Sequence, residues 1–322
     1  MAKEKISIGL DINNRYINMV KLAKEASGAI NLLDFASVDI GLKKGQAEKS
    51  KQIERLVQEK GLTECLVNVG VSGESVVVRY IDLPKMKKNE VAQALQYEAQ
   101  QYIPFKMEEV IFDFNILEPA DLDKSKMRIL LVAAKKQAIM DFVKLIKQAK
   151  LKPNLIDVNS FSLINCFQVS GTKIKPDHVY ALVNLEFDLV NINILQKQTP
   201  YFTRDISLEN ETVSLADING EKKGLFESLR PLFVNLIREI RISIDYYESE
   251  FEKQVSTIYV SGEGARITEL VSAFGAELGR EVSLWNPVGN LKVDSSRIDC
   301  KVLGDKSAML ALACGLAIRG LN

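Results

Sequence analysis

Two distant stretches of the chain carry the same pattern of apolar alternation around a short polar turn. In the first, Ile6, Ile8 and Leu10 alternate with Ser7 and Gly9, Asp11-Ile12-Asn13-Asn14-Arg15 supplies turn-forming residues, and 16–22 reads as the return strand. In the second, 178–185 runs into Glu186-Phe187-Asp188 and returns over 189–195. With Asp11 set against Asn184, Asn18 falls on Asn191 and Leu22 on Leu195, and apolar positions match between. The pattern reads as an internal duplication: two related halves, each opening with a β-hairpin.

The intervening sequence adds a third strand (30–40), an amphipathic helix (51–60, with Ile53, Leu56 and Val57 on one face) and a strand at 65–69. From Ser75 the order strand, helix, strand, strand, helix (75–83, 89–101, 110–117, 127–134, 137–150) describes a small α/β module. Asn89 is the expected N-cap of its first helix, whose end is set by Tyr102-Ile103-Pro104-Phe105, because proline disfavours helical geometry in the residue before it. In the second half, Leu225, Leu229, Leu232, Leu236, Ile240, Ile244 and Tyr247 step by three or four and predict one long helix, with Pro231 in its first turns. A strand at 257–260 then enters Ser261-Gly262-Glu263-Gly264-Ala265, and a last helix is expected to be capped by Asp305 and stopped at Gly320.

Composition narrows the function classes. Of 322 residues, 47% are hydrophobic and 26% charged, as in a globular protein, and 42 basic residues balance 42 acidic ones. No net field therefore draws the chain to nucleic acid or anionic lipid. Cys65, Cys166, Cys300 and Cys314 form no CxxC pair, which argues against a metal or redox centre and suits a reducing cytoplasm. The start of the chain lacks the apolar run of a signal peptide, and the longest apolar stretch, 308–318, is short of the roughly 20 residues of a membrane span and reads as a buried helix. His178 reads as a strand-end residue, Trp285 as packing at a loop, and the basic cluster 85–88 as solvated surface.

Several collinear segments resemble the PilM family of type IV pilus assembly proteins, relatives of FtsA with the actin-like ATPase fold. They are Ile81-Asp82-Leu83-Pro84, the helix ending in Tyr102-Ile103-Pro104-Phe105, Phe112-Asp113-Phe114, 130–136, 151–158, 201–206, 284–293 and 313–320. The resemblance implies an α/β chain with the actin-like ATPase fold of two related halves and an inserted small α/β subdomain. Residues 1–74 and 159–177, with the C-terminal helix 305–322, would form the first half, 75–158 the inserted partner-binding subdomain and 178–304 the second half. It also implies a cytoplasmic adaptor, recruited to the inner-membrane face by the N-terminal tail of a PilN-like inner-membrane protein. Tyr102, Pro104 and Phe105 would then line the partner groove.

In the family's fold, the two hairpin turns grip ATP phosphates, with small residues admitting backbone N–H groups and a carboxylate serving Mg²⁺. The first turn commonly reads DIGSS; here it is Asp11-Ile12-Asn13-Asn14-Arg15. Asn13 could hold the turn in left-handed geometry, and Arg15 would contact or block phosphate. The second, VDIG-like turn is Val183-Asn184-Leu185-Glu186, with the carboxylate replaced by Asn184 and the glycine by Glu186. Glu239 lies on the long helix, where Ile242 takes a position that the family gives to arginine and Arg241 sits about 100° away around the helix. Gly262, Gly264 and Ala265 form the Gly-rich turn, with Glu263 in place of a glycine. These residues imply a degenerate nucleotide site with no cofactor or only residual ATP/Mg and no catalytic or metal-binding residues. The alternatives are a working ATPase or kinase of the same fold, and the cytoplasmic actin-like component of a type II secretion system, a family that continues into a membrane span not expected here.

Overall fold

The computed structural model describes residues 5–41, 45–117, 125–186, 188–208 and 225–322, without the side chains of 225–232 and 268. The side chains of the expected helix-stripe residues Leu225, Leu229 and Leu232, and of Pro231, fall outside what is described, as does the turn residue Phe187.

The chain divides into two compact units, Met1–Gly70 with Val143–Asn322, and Val71–Phe142. The larger contains both hairpins. β1 (Lys5–Ile12) and β2 (Tyr16–Lys24) form the first, followed by β3 (Ile30–Asp39), α1 (Gln46–Glu59) and β4 (Leu66–Val71). The smaller unit contributes β5 (Val76–Pro84), α2 (Lys88–Tyr102), β6 (Val110–Leu117), β7 (Lys126–Lys135) and the start of α3 (Lys136–Gln148). The chain continues through β8 (Lys152–Val158) and α4 (Asn159–Val169) to the second hairpin, β9 (Val179–Leu185) and β10 (Leu189–Gln196), and then β11 (Thr199–Ser207). It ends with α5 (Leu225–Phe251), β12 (Val255–Ser261), α6 (Thr268–Leu278), β13 (Glu281–Leu284), β14 (Lys292–Val293), α7 (Cys300–Lys306) and α8 (Ala311–Leu321).

The duplication expected from the hairpins extends through both large sheets. Their orders are β14-β3-β2-β1-β4-β8 and β11-β10-β9-β12-β13, so that three antiparallel strands meet a strand parallel to the first in each. Asp11 faces Asn18 across the first hairpin as Asn184 faces Asn191 across the second. The register between second and third strands even slips at matching places, Lys21/Leu22 and Ile194/Leu195. Segment 152–158, within the range the sequence reading allots to the insertion, is the edge strand of the six-stranded sheet.

α4 and α8 lie together in a core that also holds Val20, Leu22 and Leu32 of the first sheet and Tyr180, Leu182 and Leu195 of the second. Trp285, following β13, packs edge-on at 5.7 Å from Phe167 of α4. Close approach here rests on residues without side chains. A Cβ on Gly9 would overlap the Ala313 carbonyl oxygen of α8, and one on Gly315 would overlap the Ser162 carbonyl oxygen of α4. The apolar run 308–318 is buried throughout, as its composition predicts. A second core joins the second sheet to α5 and α6.

The smaller unit is a three-stranded antiparallel sheet, β5-β7-β6, with α2 laid against it. Val91, Leu95 and Ala99 of α2 meet Ile81, Leu83, Ile129 and Leu131 in its core, one turn of helix apart and on alternate strand positions as the sequence periodicity requires.

Two caps differ from expectation. Asn89 lies inside α2; the helix starts from Lys87, whose N–H donates to Glu90 Oε2 at 2.7 Å, because a glutamate three residues in can reach back to the cap N–H. Asp305 lies inside α7, and Asp299 caps that helix by accepting from Lys301 N (2.9 Å) and Val302 N (3.2 Å). Gly320 does not stop α8 but belongs to it, where a Cβ would overlap Asn68 and Ser7.

Replacing Gly315 by alanine is expected to destabilise the protein by about 3 kcal/mol or more, because backbone blocks the new methyl. Gly304→Ala, in the exposed interior of α7 with open space around it, is expected to stabilise by about 0.5–1 kcal/mol. Chemical denaturation of the two variants against wild type measures both.

Candidate functional site

The two hairpin turns face each other. Asn13 shapes the first: its Oδ1 accepts from Arg15 N (2.9 Å) and Tyr16 N (2.6 Å), and its own N–H donates to Tyr16 O (3.1 Å). Asn13 is absent from the residues with positive φ, so it holds the turn through its side chain rather than through left-handed geometry. Arg15 is buried and directed at β3, with Nε 3.3 Å from Asp39 Oδ2 and its guanidinium 5.3 Å from the Tyr16 ring centre.

Asn14 links the hairpins. Its Nδ2 donates to Asp188 Oδ2 in the second turn, while its Oδ1 accepts from Lys49 Nζ of α1 at 2.7 Å. Behind this link Asp11 is 5% exposed and accepts from Asn18 Nδ2 at 2.9 Å. Glu186, 4% exposed, accepts from Asn184 Nδ2 at 3.2 Å, and Asn184 Oδ1 in turn accepts from Ser261 Oγ at 2.8 Å. Asn184 therefore serves as a neutral connector between the second hairpin and the end of β12.

Gly262 has φ +86°, a conformation favouring glycine, and its N–H donates to Ala308 O at 2.8 Å. Its missing Cβ makes room for the Leu185 backbone, and a Cβ on Gly264 would come within 2.8 Å of Leu185 Cβ. Both glycines thus serve the packing of this turn, together with the buried Ala265, against the second hairpin. Glu239 stands apart from this cluster in its contacts: its Oε2 accepts from Arg204 Nη2 of β11 at 2.8 Å. Arg241 donates to the Glu277 carbonyl on α6, and Ile242 is exposed.

Electrostatics in the cleft are dominated by carboxylates. Burial pushes Asp11 up to about 6, with the Asn18 hydrogen bond opposing and the Asp188 charge adding. Burial also raises Glu186 well above the usual carboxylate range, reinforced by Asp11, Glu263 and Asp188. Lys49 is lowered by burial, against the pull of Asp188. An environment that already penalises its own negative charges penalises any further anion in the same way. Asp188, Lys49 and Asp39 escaped the sequence reading as site residues: a turn aspartate, a lysine at a helix start and a strand-end aspartate carry no distinguishing spacing. Tyr102 and Phe105 are half-buried against the core of the smaller unit, Phe105 with Lys135 Nζ 4.6 Å from its ring centre, and Pro104 is exposed.

Among the described residues no cluster of His, Cys, Asp or Glu has the arrangement of a metal site. A surface concavity of about 400 Å³ lies elsewhere, where Lys24, Gln168, Asn290 and Asn322 meet, and includes none of the hairpin-turn residues.

The raised carboxylates fix a pH dependence. Between about pH 4 and 6 the folded chain holds a proton on Asp11 that the unfolded chain has released, so stability falls as pH rises through this window, by on the order of 3 kcal/mol for a shift from 3.8 to about 6. Glu186 extends the fall to higher pH. Glu186→Gln, which keeps the acceptor for Asn184, is expected to be more stable than wild type at pH 8 and equal to it at pH 4; denaturation midpoints at the two pH values measure this.

A known family shares this chain's pattern. The family described as type IV pilus assembly protein PilM matches residues 9–321. Among solved structures, one titled "PilM-PilN type IV pilus biogenesis complex" is similar at 22% identity with a TM-score of 0.84, over 98% of this chain and 98% of that one. The ethanolamine utilization protein EutJ from Carboxydothermus hydrogenoformans is similar at 12% identity and TM-score 0.49, over 98% and 89%. The cytoplasmic domain of EpsL, an inner-membrane component of the type II secretion system of Vibrio cholerae, gives 11% and 0.45, over 95% and 98%. With a match that runs from the first hairpin to the last helix, the chain belongs to the PilM family of type IV pilus assembly proteins.

Proposed function

We propose that this protein is a cytoplasmic adaptor of the inner-membrane platform that assembles type IV pili, that it binds the N-terminal tail of a PilN-like membrane protein, and that its hairpin cleft is a scaffold rather than a working nucleotide site. Family membership over residues 9–321 carries the first part of this reading. The similar solved structure is a complex with PilN, which supports a partner of that kind. Among the described residues no helix is long and apolar enough to cross a membrane, so a bound membrane protein would supply the attachment.

The compact unit Val71–Phe142 is the proposed partner-binding module, with Tyr102, Pro104 and Phe105 at the exit of α2 as the groove. An apolar tail would gain from these half-exposed rings and the fixed proline turn.

For the cleft, the residues present do not suit ATP and Mg²⁺. The Asn14–Asp188 bond joins the turns between which phosphates would enter. Glu186 is buried where a phosphate oxygen needs backbone N–H groups, Leu185 fills the space left by Gly262 and Gly264, and Glu239 is paired with Arg204. A triphosphate would add several charges beside Asp11, Glu186, Asp188 and Glu263.

Two measurements test the reading. Mg-ATP at millimolar concentration is expected to leave the melting temperature unchanged; a saturable rise, worth about 2.7 kcal/mol at a hundredfold excess over Kd, would reject the scaffold role of the cleft. A labelled tail of the PilN-like protein is expected to bind the full chain, and Pro104→Glu to weaken it at least tenfold (about 1.4 kcal/mol) without lowering the melting temperature. Absence of binding to wild type would reject the adaptor role.

A further inference from the structure

α5 buries one face and leaves an unusual row on the other. Phe233, Leu236, Ile237, Ile240, Ile244 and Tyr247 enter the core of the second half. On the opposite side, Val234 (59% exposed), Arg238, Ile242 (48%), Tyr246 (57%) and Glu250 follow one another at four-residue steps. Four-residue steps make a continuous ridge on a helix surface, the kind that interdigitates with a second such ridge at a crossing of about 50°. Isolated exposed apolar residues are ordinary, but three in one ridge form a patch. Phe202 of β11, 5.7 Å from the Tyr246 ring centre, widens it.

We infer that this ridge is a self-association surface, on which α5 of a second copy of the chain packs antiparallel about a two-fold axis passing between Ile242 and Tyr246. The charge pattern selects this occupant. The ridge runs apolar, basic, apolar, apolar, acidic, with Arg238 second, 64% exposed and 3.9 Å from the neighbouring Glu239, and Glu250 exposed at the far end. Antiparallel pairing about that axis sets Ile242 against Tyr246 of the second copy and Arg238 against its Glu250, and the two-fold repeats both pairs. Parallel pairing would instead stack like charges. An anionic membrane is a poorer occupant, because Asp245 and Glu250 would face its headgroups.

The contact is small. One helix crossing covers less than the roughly 1,200 Å² of a standard interface, so association is weak in free solution and favoured where copies are concentrated on one platform.

Sedimentation velocity of the full chain at low ionic strength, from micromolar to near-millimolar protein, tests the inference. Wild type is expected to show a reversible monomer–dimer equilibrium that weakens with salt. Arg238→Glu alone and Glu250→Arg alone are each expected to weaken dimerisation at least tenfold, since each opposes like charges twice across the axis. An equimolar mixture of the two variants is expected to restore it, because every 238–250 pair is then Glu with Arg. Ile242→Glu should abolish the dimer. All these positions are exposed, and circular dichroism of each variant checks that folding is kept. A wild type that stays monomeric throughout, a dimer indifferent to these changes, or a mixture no better than its components would overturn the proposal.

Discussion

The architecture depends on how closely two helices and a strand approach one another. β1 can lie on α8 only because Gly9 presents no side chain to Ala313, and α8 can lie on α4 only because Gly315 presents none to Ser162. Interiors are packed to crystal-like density, so one methyl group at such a contact cannot be absorbed by small shifts. α4 and α8 share their core with residues of both large sheets. The mutual position of the two hairpins, and with it the geometry of the cleft, follows from this packing.

Given that geometry, the cleft contains more acid than its burial favours. Asp11, Asp188 and Glu263 all act on Glu186, and Lys49 donates to Asn14 beside them. Burial raises Asp11 and Glu186 above the ordinary carboxylate range, so these two hold protons to higher pH than free carboxylates do. Asn184 and Asn18 contribute neutral hydrogen bonds to them, and Arg15 is committed to Asp39. The polar residues of the two turns thus bond mainly to one another, which suits an internal joint between halves. The smaller unit has the opposite character: a modest core beneath one helix, with an exposed proline and half-exposed aromatic rings at the helix exit.

Much of this was legible from local pattern. Alternation along β1, β2, β9 and β10 specified the hairpins because side chains alternate faces along a strand, and the aligned positions Asp11-Asn18 and Asn184-Asn191 are cross-strand pairs in the structure. The apolar stripe of α5 marked a helix by its periodicity, and the unbroken apolar run 308–318 marked a buried one by composition. Caps were less legible. Asn89 and Asp305 are good capping residues by type, yet α2 starts from Lys87 with Glu90 reaching back to it and α7 from Asp299, because a cap depends on where the first free N–H points. Glycine was ambiguous: Gly262 and Gly264 resemble a phosphate turn in sequence and serve to admit Leu185 in the structure.

By itself, then, the sequence determined the elements, their duplication and the family, since these rest on periodicities and collinear motifs that need no partner in space. The resemblance, set against Asn13, Asn184 and Glu186, implied a degenerate nucleotide site. Tertiary structure decided what those residues touch. That Asn14 reaches Asp188, that Arg15 turns to Asp39 and that Asp11, Asp188 and Glu263 all act on buried Glu186 are facts of approach between segments far apart in the chain. Charge and burial act through distance, and only the folded chain sets those distances.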